Sequence, residues 1–108
     1  MSEIVAVVSI KAAAGRGDDV QAAFEAAIKE THAEEGCIKY ALHRDNSDPD
    51  RFVHIEQWRS QADLDAHMQQ PYMAALFAAA GEPGMLAEPP AMWFTSPLGI
   101  GDPNKGAL

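Results

Sequence analysis

The side chains best suited to acid–base chemistry are concentrated in one short stretch of the chain. Phe52, His54, Glu56 and Trp58 alternate along residues 52 to 58. In a β-strand, alternate side chains point to the same face of the sheet, so these four are expected to share one surface. A base, an acid and two aromatic rings on one surface could move a proton beside a flat, apolar molecule. The stretch therefore predicts the floor of a pocket.

A second histidine, His67, follows on a predicted helix. Ser60 is typical of a helix N-cap, and Asp63 completes a Ser-x-x-Asp box. An imidazole has an ordinary pKa of about 6.5, so His67 can accept a proton at neutral pH. Asp63 precedes it by one helical turn and could orient the ring. We therefore predict His67 as a catalytic base; the alternative is that it caps or packs at the boundary between helix and sheet.

Glu56 and Trp58 are predicted to take part in the same chemistry. Glu56 could orient a histidine or accept a substrate proton, and its alternative is a structural role, bonded to neighbouring backbone or paired with Arg44 or Arg59. Trp58 could wall a flat ligand or donate its N–H to a ligand oxygen, and its alternative is a large core residue. Four further side chains are predicted to contact the ligand, with packing, solvent or a dimer face as their alternatives: Phe52, His54, Met68 and Tyr72.

The composition of the 108 residues excludes several classes of partner. A formal charge of −8, without a Lys/Arg cluster, would repel a polyphosphate backbone, so no nucleic acid is expected. No apolar run approaches the roughly 20 residues of a bilayer span, so no membrane is expected. The first residues lack a basic leader, and Cys37 is the single cysteine. A cytoplasmic protein is therefore the expectation.

The order of the predicted elements indicates the fold class. Periodicity predicts strands at 4–10, 37–45, 52–58 and 91–95, a first helix that Asp18 or Asp19 could cap, and a second helical region broken near Pro71. This β-α-β-β-α-β order is ferredoxin-like: an α+β fold with a four-stranded antiparallel sheet and its helices on one face. Residues 1–96 form the single predicted domain, and the Gly/Pro-rich residues 97–108 form a tail, extended or disordered.

The first predicted strand is apolar on both faces, over residues 4–10. One face packs under the helices, whereas the other would expose apolar side chains in a monomer. We therefore predict a homodimer joined through the sheet face away from the helices. The tail is expected to lie across the partner subunit.

Four motifs in a fixed order point to a family: Glu35-Gly36-Cys37-x-x-Tyr40-x-Leu42, Phe52-x-x-x-Glu56-x-Trp58, Leu64-x-x-His67 and Pro71-Tyr72. Together they resemble the antibiotic biosynthesis monooxygenase superfamily of dimeric α/β barrels, which includes quinol monooxygenases. The resemblance covers roughly residues 3 to 95. It is the ordered set that is specific, because each motif alone is weak.

The resemblance implies a pocket between the sheet and the helices of each subunit. It also implies oxidation by O2 of an electron-rich aromatic, such as a quinol, an anthrone or a polyketide-like phenol, without flavin, haem or metal. No cofactor is therefore expected, and the sequence has no Gly-x-Gly-x-x-Gly motif or phosphate loop. Such chemistry needs a base, an apolar chamber and a group that stabilises the substrate anion.

Two alternatives involve a metal. His54, Glu56 and His67 supply the two imidazoles and one carboxylate of a non-haem iron oxygenase. Haem-degrading proteins of the same fold resemble this chain, but they have Trp at the position of His67 and an iron-binding His at that of Phe77. The sequence departs from them at both positions, so haem is not favoured.

Two further alternatives are not oxygenases. The same dimeric scaffold serves as a module that binds or isomerises small molecules, including phosphorylated autoinducer derivatives. An anionic sugar phosphate would need clustered basic residues, and Lys39, Arg44, Arg51 and Arg59 form no single motif. A dimerisation module with a vestigial pocket is the last alternative.

Overall fold

The computed structural model describes residues 3–108, as a four-stranded antiparallel sheet with three helices. The elements follow in the order β1 (Ile4–Lys11), α1 (Gly17–Thr31), β2 (Cys37–Arg44), β3 (Arg51–Trp58), α2 (Gln61–Met68), α3 (Pro71–Ala80) and β4 (Ala91–Thr95). The ferredoxin-like α+β fold expected from the sequence is confirmed, and the strand bounds differ from the predicted ones by at most one residue.

The sheet order is β2-β3-β1-β4, so β3 and β1 are central and β2 and β4 form the edges. Opposite His54 on β3 lie Leu42 on β2 and Val8 on β1, and opposite Val8 lies Met92 on β4. One bulge, between Cys37 and Lys39, interrupts the β2–β3 ladder. This register brings alternate residues of all four strands onto one face, which the helices cover.

The N-terminus of α1 is capped from outside the helix. Neither Asp18 nor Asp19 supplies the cap predicted from the sequence, and Arg16 occupies the N-cap position without a side-chain bond that caps the helix. Instead, the Asp50 carboxylate accepts the backbone N–H groups of Gly15 at 3.1 Å and Gly17 at 3.0 Å. The turn between β2 and β3 thus provides the acceptor for one free N–H group of the first helical turn and for one N–H group of the loop before it.

The second helical region is broken as predicted. Ser60 caps α2, its hydroxyl accepting the backbone N–H of Asp63 at 3.2 Å. Pro71 then occupies the first turn of α3, where its missing N–H costs no helical hydrogen bond. The break between Met68 and Pro71 separates two short helices that pack differently: α2 contacts β3, whereas α3 packs mainly on α1.

Apolar side chains on the helix side of the sheet form three packed clusters, centred on Phe52, Met73 and Trp58. We call the opposite side of the sheet the open face. Across it run directly paired apolar residues, one from each strand: Ala41, Ile55, Val7 and Trp93. Trp93 is 53% exposed. Among the described helices, none has the length and apolar character to cross a bilayer.

The tail after β4 has turns but no strand or helix in its described residues, 96–108. It returns to one end of the open face, where the backbone carbonyl of Ala107 accepts a hydrogen bond from the Gln57 amide at 3.3 Å. Gln57 also donates to Glu3 at 2.7 Å. These contacts explain why Gln57 is buried although it lies on the open face.

Candidate active site

A cavity of about 70 Å³ lies between the helix side of the sheet and α3. Its wall is mostly apolar and draws on all four strands, all three helices and the loop before β4. Among residues 3–108, the side chains on this wall that can donate or accept a conventional hydrogen bond are those of Tyr40, His54 and Glu56. The remaining lining residues are Val8, Ile10, Phe24, Leu64, Met68, Met73, Leu76, Phe77, Ala80, Leu86, Pro90, Met92 and Phe94.

Three large apolar side chains line the cavity and are also exposed to solvent, namely Phe77 on α3 and Met92 and Phe94 on β4. We call this group the mouth of the cavity. Because β4 is an edge strand, the mouth lies at one edge of the sheet, beside α3. A flat apolar ligand could therefore reach the polar groups of the wall when the side chains of the mouth rotate aside.

His54 is the imidazole on the cavity wall, and only 1% of its surface is exposed. Its Nδ1 lies 3.3 Å from Glu56 Oε2. An ionised carboxylate can only accept, so this contact favours the tautomer with hydrogen on Nδ1 and a free lone pair on Nε2. Nε2 has no hydrogen-bond partner among residues 3–108. A buried acceptor in this state is suited to receive a proton from a ligand.

Glu56 links His54 to Trp58. Its Oε1 accepts the indole N–H of Trp58 at 3.0 Å, so the two carboxylate oxygens are engaged by different partners. The alternative that Glu56 pairs with Arg44 or Arg59 is wrong. Arg44 instead binds Asp18 at 3.0 Å, and Arg59 binds Asp63 at 2.9 Å.

His67, the base predicted from the sequence, is fully buried but is not among the residues of the cavity wall. Its Nδ1 bonds to Glu34 Oε2 at 2.7 Å, and its Nε2 has no partner in the described part of the chain. The predicted orienting role of Asp63 is wrong. Asp63 bonds to Arg59 and Ser60, which both lower the pKa of its carboxyl, the Arg59 guanidinium most.

Tyr40 separates the two imidazoles. Its ring centroid lies 4.2 Å from that of His54 and 5.2 Å from that of His67, both close to edge-on. Burial, and then the charge of Glu56, raise the pKa of the Tyr40 phenol. The phenol therefore stays protonated. Its hydroxyl donates to Met73 Sδ at 3.7 Å, a weak acceptor on the same wall that an oxygen of a ligand could replace.

The other predicted site residues are divided between the cavity and the core. Met68 lines the cavity, as His54 and Glu56 do. Trp58 is fully buried behind the wall, with its ring 4.5 Å from that of His67. Phe52 packs in the core, and the Arg44 guanidinium lies 5.1 Å above the centroid of its ring. Tyr72 donates a hydrogen bond from its hydroxyl to Glu34. The structure thus brings three of the seven to the cavity.

Sequence reasoning missed Glu34, Tyr40 and the mouth of the cavity. Glu34 directly precedes the motif that begins Glu35-Gly36-Cys37, and Tyr40 lies inside it. Their position in or beside this motif could have marked them as site candidates. Gly36 has a steric role there, because a Cβ at this position would overlap the Asp63 side chain. The mouth residues on β4 gave no chemical signal, since Met92 and Phe94 resemble ordinary packing residues.

The metal alternative has no support in the described chain. Across residues 3–108, no three His, Cys, Asp or Glu side chains are grouped as metal ligands would be. The proposed set of His54, Glu56 and His67 is divided by Tyr40, and each histidine pairs with its own carboxylate.

A ferredoxin-like sheet thus holds a mostly apolar cavity under its helices, with one carboxylate-paired imidazole on the cavity wall. Comparison with known proteins gives the family. A sequence profile described as antibiotic biosynthesis monooxygenase matches residues 3–79, and the chain belongs to this family. The family recognised from its four motifs is thereby confirmed.

Relatives of the chain include proteins named as oxygenases. Uncharacterized protein sll1783 of Synechocystis is 31% identical over 86 residues, which are 80% of this chain and 57% of that protein. "Probable quinol monooxygenase YgiN" of Escherichia coli is 46% identical over 50 residues, 39% of this chain and 48% of that protein. The matched region therefore spans only about half the length of these two relatives.

Solved structures show the same architecture. The structure of Rv0793 from Mycobacterium tuberculosis superimposes with a TM-score of 0.82 at 28% identity, covering 90% of this chain and 96% of that one. PA3566 from Pseudomonas aeruginosa gives a TM-score of 0.79, also at 28% identity, with coverages of 91% and 96%.

Proposed function

We propose that the protein is a cofactor-independent monooxygenase that oxidises an electron-rich aromatic, such as a quinol, an anthrone or a polyketide-like phenol, with O2. The observation that carries the proposal is the unpartnered Nε2 of His54, buried on the wall of an otherwise apolar cavity. Family membership and the monooxygenase names of relatives support the reaction class.

His54 is the base in this proposal, in place of His67. Nε2 takes the phenolic or enolic proton of the substrate, while the Glu56 carboxylate stabilises the resulting imidazolium through Nδ1. The Tyr40 hydroxyl is the candidate donor to the substrate anion, since Tyr40 also lines the cavity. Exclusion of water by the apolar wall strengthens both interactions.

The chemistry after deprotonation belongs to the substrate. The anion gives one electron to O2, and the substrate radical and superoxide combine to form a carbon–oxygen bond. Protonation of the peroxide, loss of the hydrogen on the same carbon and cleavage of the O–O bond then release water and leave a carbonyl. One oxygen atom of O2 enters the product and the other leaves as water, so an anthrone CH2 becomes C=O without an external reductant.

The cavity wall favours an uncharged, flat substrate. As the described residues form it, the wall contains no Lys or Arg, so a phosphorylated ligand would lack a counter-charge. This argues against the alternative of a module that binds or isomerises phosphorylated autoinducer derivatives. The enclosed 70 Å³ is smaller than typical ligand pockets of roughly 300–1,000 Å³, so the substrate must extend into the mouth or displace its side chains.

The proposal extends to the assembly and its setting. The protein acts as a homodimer in the cytoplasm, with small aromatic substrate and O2 as its partners. The continuous apolar row on the open face supports the dimer, because its members would otherwise meet water.

Paired substitutions of the two histidines test the assignment of the base. With a dihydroxynaphthalene or anthrone, His54→Ala should lower kcat by roughly 10²- to 10⁴-fold, the usual contribution of a general base. His54→Ala should also lose the decline in rate that the wild type shows as its base is protonated at low pH. His67→Ala should keep that decline, because His67 does not reach the cavity.

Oxygen consumption and incorporation of ¹⁸O from labelled O2 measure the reaction, and circular dichroism corrects each rate for the folded fraction. If His67→Ala, rather than His54→Ala, removes the low-pH decline, the original assignment of the base to His67 stands. If the wild type oxidises none of these substrates under O2, the oxygenase proposal fails. Metal analysis and an absorption spectrum of the active protein test its independence of cofactors.

A further inference from the structure

A continuous series of contacts joins the loop after α1 to the cavity. It begins at Glu34, whose side chain is 15% exposed, and passes through His67, Trp58 and Glu56 to His54. Three of the contacts are polar and one is a contact between rings. None of these five residues is adjacent in sequence to another, so the series exists only in the folded chain.

Glu34 fixes the state of His67. The same carboxylate oxygen accepts from His67 Nδ1 at 2.7 Å and from the Tyr72 hydroxyl. Since a carboxylate cannot donate, His67 must carry its hydrogen on Nδ1. Burial, and then the hydrogen bond to Glu34, raise the pKa of the Tyr72 phenol, so Tyr72 remains a donor. Two groups on different helices, α2 and α3, are thus tied to one loop residue.

His67 in turn supports Trp58. The two rings lie 4.5 Å apart at an angle of 37°, and both are fully buried, so a rotated imidazole would displace the indole. Trp58 directs its N–H at Glu56 Oε1, which leaves Oε2 facing His54 Nδ1. The orientation of the base therefore depends on the packing of an indole that His67 holds in place.

We propose that Glu34 is a positioning residue for the oxidation, acting on His54 through His67, Trp58 and Glu56. The inference rests on the proposed function, because it takes His54 as the base. It assigns Glu34 no contact with the substrate. Its effect should therefore fall on kcat and leave KM nearly unchanged, since the residues of the cavity wall are retained.

The test compares Glu34→Ala and Glu34→Gln with Glu35→Gln. Glu34→Ala removes the acceptor of both His67 and Tyr72 and should lower kcat about tenfold or more, as loss of an orienting partner commonly does. Glu34→Gln keeps a carbonyl acceptor and should restore most of the rate. Glu35, whose side chain is 91% exposed and faces Arg59 at 3.6 Å, is the matched control and should behave as wild type.

A second readout needs no substrate. In ¹H–¹⁵N spectra, Glu34→Ala should shift the indole N–H signal of Trp58 and change the ¹⁵N signals of His67 from those of the Nδ1–H tautomer. The indole of Trp93, half-exposed on the open face, is an internal reference and should not move. Glu35→Gln should leave all three signals in place.

The outcomes separate the two proposals. An unmoved Trp58 signal in folded Glu34→Ala overturns the positioning role, whatever the enzyme does. A loss of kcat no larger than the loss of folded protein overturns it as well, as does an equal loss in Glu35→Gln. If the spectra change as expected but the wild type oxidises no substrate, the network is supported and the oxygenase proposal is the one that fails.

Discussion

At the scale of single residues, two carboxylates set the protonation of the groups around them. Glu56 and Glu34 lie on opposite sides of Tyr40 and each holds an imidazole. Their charges also act on neighbours that they do not bond. Cys37 is the clearest case, because burial first, then Glu34 and Glu56, raise the pKa of its thiol to about 11.

The Cys37 thiol should accordingly resist alkylation near neutral pH. In folded protein, the rate of reaction with iodoacetamide should rise through a midpoint of about 11, because only the thiolate reacts. In urea the midpoint should return to about 8.5, that of an ordinary cysteine. Mass spectrometry of timed samples measures both curves. A folded-state midpoint at or below that in urea would show that neither burial nor the two carboxylates raise the pKa of this thiol.

Residue types and spacing were enough to bring four side chains onto one face of the sheet, but not to identify the partner of each side chain. The alternation of Phe52, His54, Glu56 and Trp58 correctly places them on the helix side of the sheet. The orienting carboxylate of His67 was sought one helical turn away, at Asp63, whereas it comes from Glu34, 33 residues earlier. Local spacing cannot reveal a contact that only the docking of α2 against the loop after α1 creates.

At the scale of elements, the β2–β3 turn and the start of α1 form one unit. Asp50 accepts two backbone N–H groups of α1 and its preceding loop, and Arg44 reaches from β2 to Asp18 and Gln21 at 3.0 Å each. A Cβ at Gly17 would overlap the Pro49 carbonyl and the Arg44 guanidinium. Contacts with the β2–β3 turn therefore fix the position at which α1 begins.

Replacement of Asp50 should destabilise the fold more than replacement of either predicted cap. Asp50→Ala leaves two backbone donors without their acceptor and should cost about 1 kcal/mol, the usual value of an N-cap. For a domain of this size, that lowers Tm by roughly 4 to 8 °C. Asp19→Ala removes only an exposed pair with Arg16 and should shift Tm far less. Equal shifts in thermal unfolding would contradict the assignment of the cap to Asp50.

Element order could be predicted because each element has a local cause. Pro71 and the Ser60 cap predicted the break and the start of α2, and the apolar alternation predicted the strands. The cap of α1 could not be predicted in the same way. Asp50 lies 33 residues after Gly17, in a turn whose acidic residues looked like turn formers only.

At the scale of the whole molecule, the open face carries apolar side chains that a single chain leaves partly in contact with water. Its apolar row crosses all four strands, from Ala41 through Ile55 and Val7 to Trp93. The tail covers only the end near Gln57. A second copy of the same face would bury the row.

Light scattering at micromolar concentration should therefore give the mass of a dimer. Trp93→Glu should shift it to a monomer by placing a charge in the interface. Ala26→Glu, which adds the same charge at an exposed position of α1, should remain dimeric. A monomeric wild type would contradict the predicted dimer.

Truncation after Ser96 should weaken the dimer without unfolding the sheet. An unchanged dissociation constant of the dimer would argue against any role of the tail in assembly.

The edge strand β4 presents different residues to each side of the sheet. Trp93 belongs to the open face, whereas its neighbours Met92 and Phe94 form part of the mouth of the cavity. A contact that fixes Trp93 would also restrict Met92 and Phe94, which the proposed substrate would pass. Subunit association would then change the free energy of substrate binding. By thermodynamic linkage, substrate binding would change the free energy of association by the same amount. We expect the apparent affinity for substrate to rise with protein concentration, up to the point where every chain is paired.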